Sequence, residues 1–386
     1  MKPSVFSFSK PFVTTLMLQA AVIGIILYAA HGLLVNTQAN LEARNIASGF
    51  GFLSLESGMP ISNSLLPYSP ADSYGFAFFI GIINTLYVAF FGIILATLIG
   101  ILIGVARVSN NWLISKLAEI YVEVLRNIPL LLTLFFTYTI ALAALPIPKK
   151  SLMPFEGFFL NNRGIYLPRP IPESGFLIVC LAVLIGIIAA FMIHWFAKRL
   201  HRETGRTIPS FTLGLIAMVA IPAIAWWLTR GPIAWEFAVL KGFNFQGGLV
   251  IRPEFSALMI GLVLYTAAFI GENVRSGIQS VDMGQINSSK ALGLTTGLTM
   301  RKVILPQALR VIIPATTNDY TSLVKNSSLA VAIGYPDMVS IGGTIIGQND
   351  QAIEIIAMWM GVYMTINLMV SMIMNWLNAK VQHIGR

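Results

Sequence analysis

Charge is what this chain has least of. Of its 386 residues only 11% are Asp, Glu, Lys or Arg, less than half the roughly 25% usual in soluble domains, which excludes an ordinary water-facing globular protein. Cysteine is nearly absent: the single Cys180 lies in an apolar run, so no intrachain disulfide exists and the redox compartment is not legible. Histidine is scarce, and His31, His194, His201 and His383 form no H-E-x-x-H pair of the zinc hydrolases. No G-x-x-x-x-G-K-[ST] loop occurs. The nearest spacing, GFNFQGG at 242–248, lacks the lysine that would meet a phosphate. Nor is there a soluble domain, a low-complexity tract or a strong internal repeat, and the last absence weighs against carriers built from two related halves. An enzyme embedded in the membrane is disfavoured by the same gaps.

Grease is what the chain has instead. It is 56% hydrophobic with a mean hydropathy of +0.76, and several apolar runs reach the roughly 20 residues that span a bilayer as helix. The reading is an all-α polytopic membrane protein with about eight transmembrane helices, near 12–34, 76–106, 117–145, 176–197, 210–230, 255–274, 311–335 and 352–378. The first follows Lys2 and Lys10, is long for a signal-peptide core, and reads as an uncleaved anchor. If the N-terminus is cytoplasmic, inner segments hold fifteen Lys and Arg, including Lys2, Lys198, Arg206 and Arg386, against eight outside, including Arg44 and Arg230. The positive-inside bias supports that orientation, with both termini cytoplasmic. The net charge of +9 is scattered rather than clustered on one face, so it orients the protein and predicts no nucleic-acid partner. The chain divides into an anchor and outer loop (1–75), a first core part (76–145), an insert of outer loops and two extra helices (146–254), and a second core part (255–386) with a cytoplasmic loop at 280–310. The outer loops, rich in turn formers, read as ordered surface segments.

Small residues recur every fourth position in GIILATLIGILIG (92–104): Gly92, Ala96, Gly100 and Gly104 leave one helix face nearly bare. Another helix can approach there closely, as in any membrane bundle. Polar groups are more telling. Glu119, Glu123 and Arg126 share a helical spacing before Asn127 and Pro129, and Glu123 and Arg126, three apart, are positioned to pair. They face either a cavity or, on a helix lying at the inner surface, the interface. In TNDYTSLVKNSSLAVAIGYPDM (317–338), Asn318, Asp319, Lys325, Asn326, Ser327 and Ser328 interrupt an apolar span before Gly334 and Pro336. That pattern predicts a broken helix lining a polar path, with Lys325 deep in the span; the alternative is that Ser and Asn join two helices. Glu272 completes the set. A substrate path of Arg126, Glu272, Asn318, Asp319, Lys325, Ser327 and Ser328 is the expectation, with Lys325 and the hydroxyls near a carboxylate and an acidic group near an ammonium.

The stretch MGQINSSKALGLTTGLTMRKVILPQALRVIIP (283–314) resembles the coupling loop of ATP-binding-cassette importer permeases, whose pattern is E-A-A, then Gly, then I-x-L-P. Ala291, Leu292, Gly293, Ile304, Leu305, Pro306 and Gln307 match, while Asn287, Ser288 and Ser289 stand where Glu-Ala-Ala is usual. With NTLYVAFFGIILATLIGILIGVARVS, YVEVLRNIPLLL, GENVRSGI and KNSSL in family order, the chain resembles the polar amino-acid permease family over about 76–140 and 255–380. VNTQANLEARNIASGFGFL and FLNNRGIYLP further resemble the Q-type subunit of general L-amino-acid importers. The resemblance implies a type I importer permease core with extra helices in a bacterial inner membrane, moving an amino acid by ATP-driven import. It implies a second, M-type permease subunit, making a heterodimer, a dimeric ABC ATPase that carries ATP and Mg, and an extracytoplasmic amino-acid-binding protein. It implies no catalysis and no cofactor or metal on this chain, and assigns ATPase coupling to Asn287, Ser288, Ser289, Lys290, Ala291, Leu292 and Gly293. An ion-coupled secondary amino-acid carrier is the competing reading.

Overall fold

The structure, a computed structural model, describes residues 10–43, 49–205 and 208–383. Lys2, Arg44, Arg206 and Arg386 of the charge balance lie outside them. Six described helices are long and apolar enough to cross a membrane, and two bent pairs bring the number to eight if each pair is one span. The six are α1 (Lys10–Ala43), α2 (Tyr74–Arg107), α5 (Phe176–Thr204), α6 (Ser210–Leu228), α7 (Pro253–Gln279) and α12 (Ala352–His383).

Two of the spans are bent pairs, one broken at Pro129 and the other within 317–338, where the sequence predicts a broken helix. In place of a helix over 117–145, α3 (Trp112–Asn127) and α4 (Leu130–Ala143) meet at 107°. Pro129 has no N–H for the ladder and drives the residue before it out of helical angles; Ile128 is accordingly extended, at φ −95° and ψ 131°. α3 begins where the Asn111 side chain accepts from the amides of Leu113 and Ile114, a side-chain cap for otherwise orphaned donors. The second break separates α10 (Leu305–Asn326) from α11 (Met338–Asn349), with a 3₁₀ segment at Ser327–Ile333 and a 53° bend. Gly334 is left-handed at φ +77°, and Asp337 caps α11 by accepting from the Ser340 amide at 2.8 Å.

The chain divides into two compact units, Met1–Phe135 with Leu258–Arg386, and Phe136–Ala257. In the first, Phe78, Ile80, Met338, Ile341, Ile345 and Ile355 form a buried cluster. The stripe on α2 is a set of close crossings. A Cβ on Gly100 would stand 2.6 Å from the Ile270 Cβ, one on Gly104 2.5 Å from the Val274 Cβ, and one on Gly92 3.3 Å from the Leu323 side chain. Backbones of α2 and α7 thus approach as only small residues allow.

The second unit adds strands to an otherwise helical chain. β1 (Phe159–Asn161) and β2 (Gly164–Leu167) form a hairpin, and β2 also pairs antiparallel with β7 (Leu249–Ile251). β3 (Arg169–Pro172) pairs with β4 (Ile233–Glu236), and β5 (Val239–Lys241) with β6 (Asn244–Gln246). The segments read as surface loops therefore close their backbone hydrogen bonds on each other, around buried Tyr166, Ala238 and Phe245. α5 and α6 pack through Gly186 and Gly214, where a Cβ would be 3.3 Å from the Met218 Cα and 3.5 Å from the Ala190 Cβ.

Candidate functional site

Between α7 and α10 (Leu323 among its walls) lies a pocket of about 270 Å³ lined by Tyr265, Thr266, Phe269, Asp319, Ser322 and Asn326. Its acid is held in place: Asn273 Nδ2 donates to Asp319 Oδ2 at 2.6 Å. Its cation is near: the Arg126 guanidinium lies 5.2 Å over the Phe269 ring centroid, a cation–π distance. Arg126 makes no ion pair with Glu123 among the described residues; the pairing read from their spacing is replaced by the aromatic contact, because the break after Asn127 turns the last residues of α3 toward α7. The Tyr121 hydroxyl, earlier on the same helix, fixes α3 by donating to the Leu264 carbonyl at 2.7 Å.

Glu272 has another place. It pairs with Arg107 at the end of α2 and with Arg275 one turn along α7, whose Nε donates at 3.1 Å. Arg275 also donates to Gln279. With the Arg107 and Glu272 side chains 13% and 21% exposed, this is a half-dry ion-pair network that ties α2 to α7. Glu272 supports the bundle there; its carboxylate is occupied by two guanidiniums. Lys325 is exposed in this chain, at the last turn of α10, since the helix ends one residue later instead of running on to 335. Asn318 is exposed too. Ser327 is buried, but its hydroxyl donates to the Val324 carbonyl at 2.7 Å, and Ser328 donates to the Lys325 carbonyl at 2.7 Å. Both hydroxyls thereby satisfy the carbonyls freed where the helix narrows. Of the seven path residues, Asp319 and Arg126 gather at the pocket, Lys325, Ser327 and Ser328 sit at the break, Glu272 stands in the ion-pair network, and Asn318 is exposed on α10.

Sequence reading missed Asn273, Phe269, Arg107 and the Thr97–Tyr320 hydroxyl pair at 2.7 Å. Asn273 had a signal, an amide beside Glu272 inside an apolar span. Arg107 had none, its partner being 165 residues away.

On the opposite flank of α10 in sequence, α8 (Met283–Ala291) begins at Asp282, whose side chain accepts from the Gly284 amide at 2.5 Å. It ends in a paired closure: the Gly293 amide donates to the Lys290 carbonyl at 2.9 Å and the Leu294 amide to the Ser289 carbonyl at 3.1 Å. Those two bonds are the Schellman pattern, and Gly293 supplies its left-handed residue at φ +77°. Ser289 faces inward, buried, donating to the Ile286 carbonyl at 2.7 Å and sharing a hydroxyl–hydroxyl hydrogen bond with Thr299 Oγ1 at 3.1 Å. Asn287, Ser288, Lys290, Ala291 and Gly293 face outward, and Leu292 is 80% exposed. A short turn, Thr296–Thr299, and a wide π turn, Met300–Ile304, then lead into α10, where Gln307 donates back to Gln285 at 2.5 Å. The loop is rigid on its inner side and apolar at its outer tip. Among the described residues no group of His, Cys, Asp and Glu is placed to hold a metal.

A family model described as binding-protein-dependent transport system inner membrane component matches residues 182–383. The chain is 44% identical to the general L-amino acid transport system permease protein AapQ of Rhizobium johnstonii, over 95% of this chain and 90% of that one. It is 43% identical to YhdX of Escherichia coli (strain K12), named as an amino-acid ABC transporter permease protein, over 98% and 97%. To the glutamate/glutamine/aspartate/asparagine transport system permease protein BztB of Rhodobacter capsulatus it is 35% identical, over 95% and 93%. A crystal structure of an amino acid ABC transporter with histidines covers 80% of this chain and 95% of its own at 20% identity and a TM-score of 0.46, too loosely to place any residue.

Proposed function

The chain belongs to the family of binding-protein-dependent transport system inner membrane components, and from that premise we propose that it is a permease subunit of an ATP-driven amino-acid importer, forming part of the translocation path and coupling to a separate ATPase. One observation carries the coupling role. A nine-residue helix, α8, is anchored by Ser289 and closed by Gly293, yet turns Leu292 and most of its length to the outside. Isolated helices this short are marginal in water, so a preformed one with an apolar tip fits a groove on another protein. The partner is a dimeric ABC ATPase binding ATP and Mg; this chain supplies the path and no catalytic group.

The polar face at Asp319, Arg126 and the α10 break lines the route. Asp319 takes the substrate ammonium, and Lys325, uncovered in this chain, takes its carboxylate from a side shared with a second permease subunit of the M-type. The charge balance supports an orientation with α8 and both termini in the cytoplasm and residues 145–174 and 231–252 outside, where an amino-acid-binding protein delivers cargo, the spans crossing a bacterial inner membrane. The test is reconstitution: with ATPase and binding protein, liposomes should accumulate amino acid only when ATP is supplied. Accumulation by the purified chain alone on a proton or sodium gradient would make it the secondary carrier instead.

A further inference from the structure

A second cavity, of about 410 Å³, lies wholly within the unit Phe136–Ala257 and is lined by Asn162, Arg163, Tyr166, Asn244, Arg252 and Glu254, with apolar Leu142, Phe245 and Val250 completing its wall. Its size falls in the range of about 300–1,000 Å³ typical of small-molecule sites. The fold builds it deliberately. Gly164, at φ +131°, has no Cβ to strike the Ile251 carbonyl, so β2 and β7 pair closely at Ile165 and Ile251. That register sets Arg163 and Arg252 at neighbouring strand ends. The wall behind them is stiff: Tyr166 stacks near Phe245 at 4.9 Å between ring centroids and donates its hydroxyl to Asn244 Oδ1 at 3.0 Å. Burial raises the Tyr166 pKa above its ordinary value while the fields of Arg163 and Arg252 both act to lower it, so the two guanidiniums converge on one place.

Among the described residues neither guanidinium has an ion-pair partner. Two cations lining one cavity repel each other, and an anion between them relieves both. One acceptor lines the same space: the Glu254 carboxylate, which the Tyr138 hydroxyl holds at 3.4 Å and which is in no ion pair among the described residues. We propose that this pocket binds an acidic amino acid, its two carboxylates on Arg163 and Arg252 and its ammonium on Glu254, as a site separate from the translocation path. The lining carries a net charge of +1 and the ligand −1. A basic amino acid would set a second cation against the guanidiniums, and a dicarboxylate without an ammonium would meet Glu254 as a like charge. The site's role as an outer capture point rests on the importer reading; the binding itself does not.

The test is equilibrium binding of radiolabelled L-glutamate to the full chain in lipid nanodiscs, with no binding protein present. Saturable binding is expected, with glutarate at least about tenfold weaker and L-lysine not competing. The double variant Arg163→Gln/Arg252→Gln should weaken glutamate by about 100-fold or more. Glu254→Gln should weaken glutamate yet leave glutarate unchanged or tighter, a reversal that unfolding cannot produce. Arg169→Gln, at an exposed arginine of the same unit that does not line the cavity, should keep this binding. Absence of saturable binding, equal binding of glutarate and glutamate, or loss on Arg169→Gln overturns the proposal. So does ATP-driven uptake that falls in the arginine variants while wild-type protein binds no free glutamate, which would assign the guanidiniums to carboxylates of a docked protein. Uptake by the wild-type complex is scored separately, so a failed pocket and a failed importer are told apart.

Discussion

At Gly293 the backbone is left-handed, at φ +77°, yet a Cβ there would meet no heavy atom within 4 Å. Substitution therefore acts through backbone strain alone, about 1–2 kcal/mol for a residue with a side chain and more for a β-branched one. Against a nine-residue helix of marginal intrinsic stability that is enough to open its last turn. Gly293→Val should lower ATPase co-purification or uncouple ATP hydrolysis from uptake, with the melting temperature of the spans unchanged; intact coupling would remove α8 from the role given to it. Asn287→Glu, at an exposed position, should be tolerated in the same assays. Lys325→Ala should cut uptake roughly tenfold or more, the order expected for a lost charged contact to substrate, without loss of assembly on native gels. Normal uptake kinetics would leave Lys325 an interfacial lysine. Gly293 was legible because a glycine after a helical run has a local physical meaning. Lys325's exposure was not, since it depends on where α10 stops and on a face this chain leaves open, and Glu272's partner Arg107 is far away in sequence.

Helix crossings make a sharper prediction than helix positions. Gly104→Leu or Gly100→Leu forces a side chain against Val274 or Ile270 at backbone distance, and overpacking of this kind costs roughly 1–3 kcal/mol. Each should lower the thermal transition of the detergent-solubilised chain, whereas Gly24→Leu in α1, where a Cβ meets nothing within 4 Å, should not. Equal transitions would mean that α2 and α7 separate without cost. The four-residue spacing from Gly92 to Gly104 announced a crossing but not its partner, because a bare face names no neighbour. Pro129 and Pro336 likewise announced breaks, while the 107° and 53° angles come from packing that no local pattern encodes. The strands at 159–251 escaped notice for the reason short strands usually do: β2 pairs with β7 across about 80 residues of chain, and three-residue runs have too few alternations to show a period.

For the whole molecule, the proposal of a second, different permease subunit has a direct test. Native mass spectrometry of the assembled transporter should find one copy of it beside one different permease and two ATPases. Two copies and no second permease would make the complex a homodimer. α1 belongs to this scale as well. Its described side chains from Thr14 to Ala43 are all exposed except half-buried Thr37, so its stability comes from its own backbone hydrogen bonds and from lipid. Such a helix is complete when it leaves the ribosome, before any later segment exists to pack on it. It can enter the bilayer before the spans that follow it and tether a nascent chain whose later helices must wait for one another, the order of events that independent insertion followed by association requires. A chain begun at Gly49 should then keep a trypsin-resistant core of the same size, and lose instead in the pulse-chase rate at which newly made protein reaches the membrane.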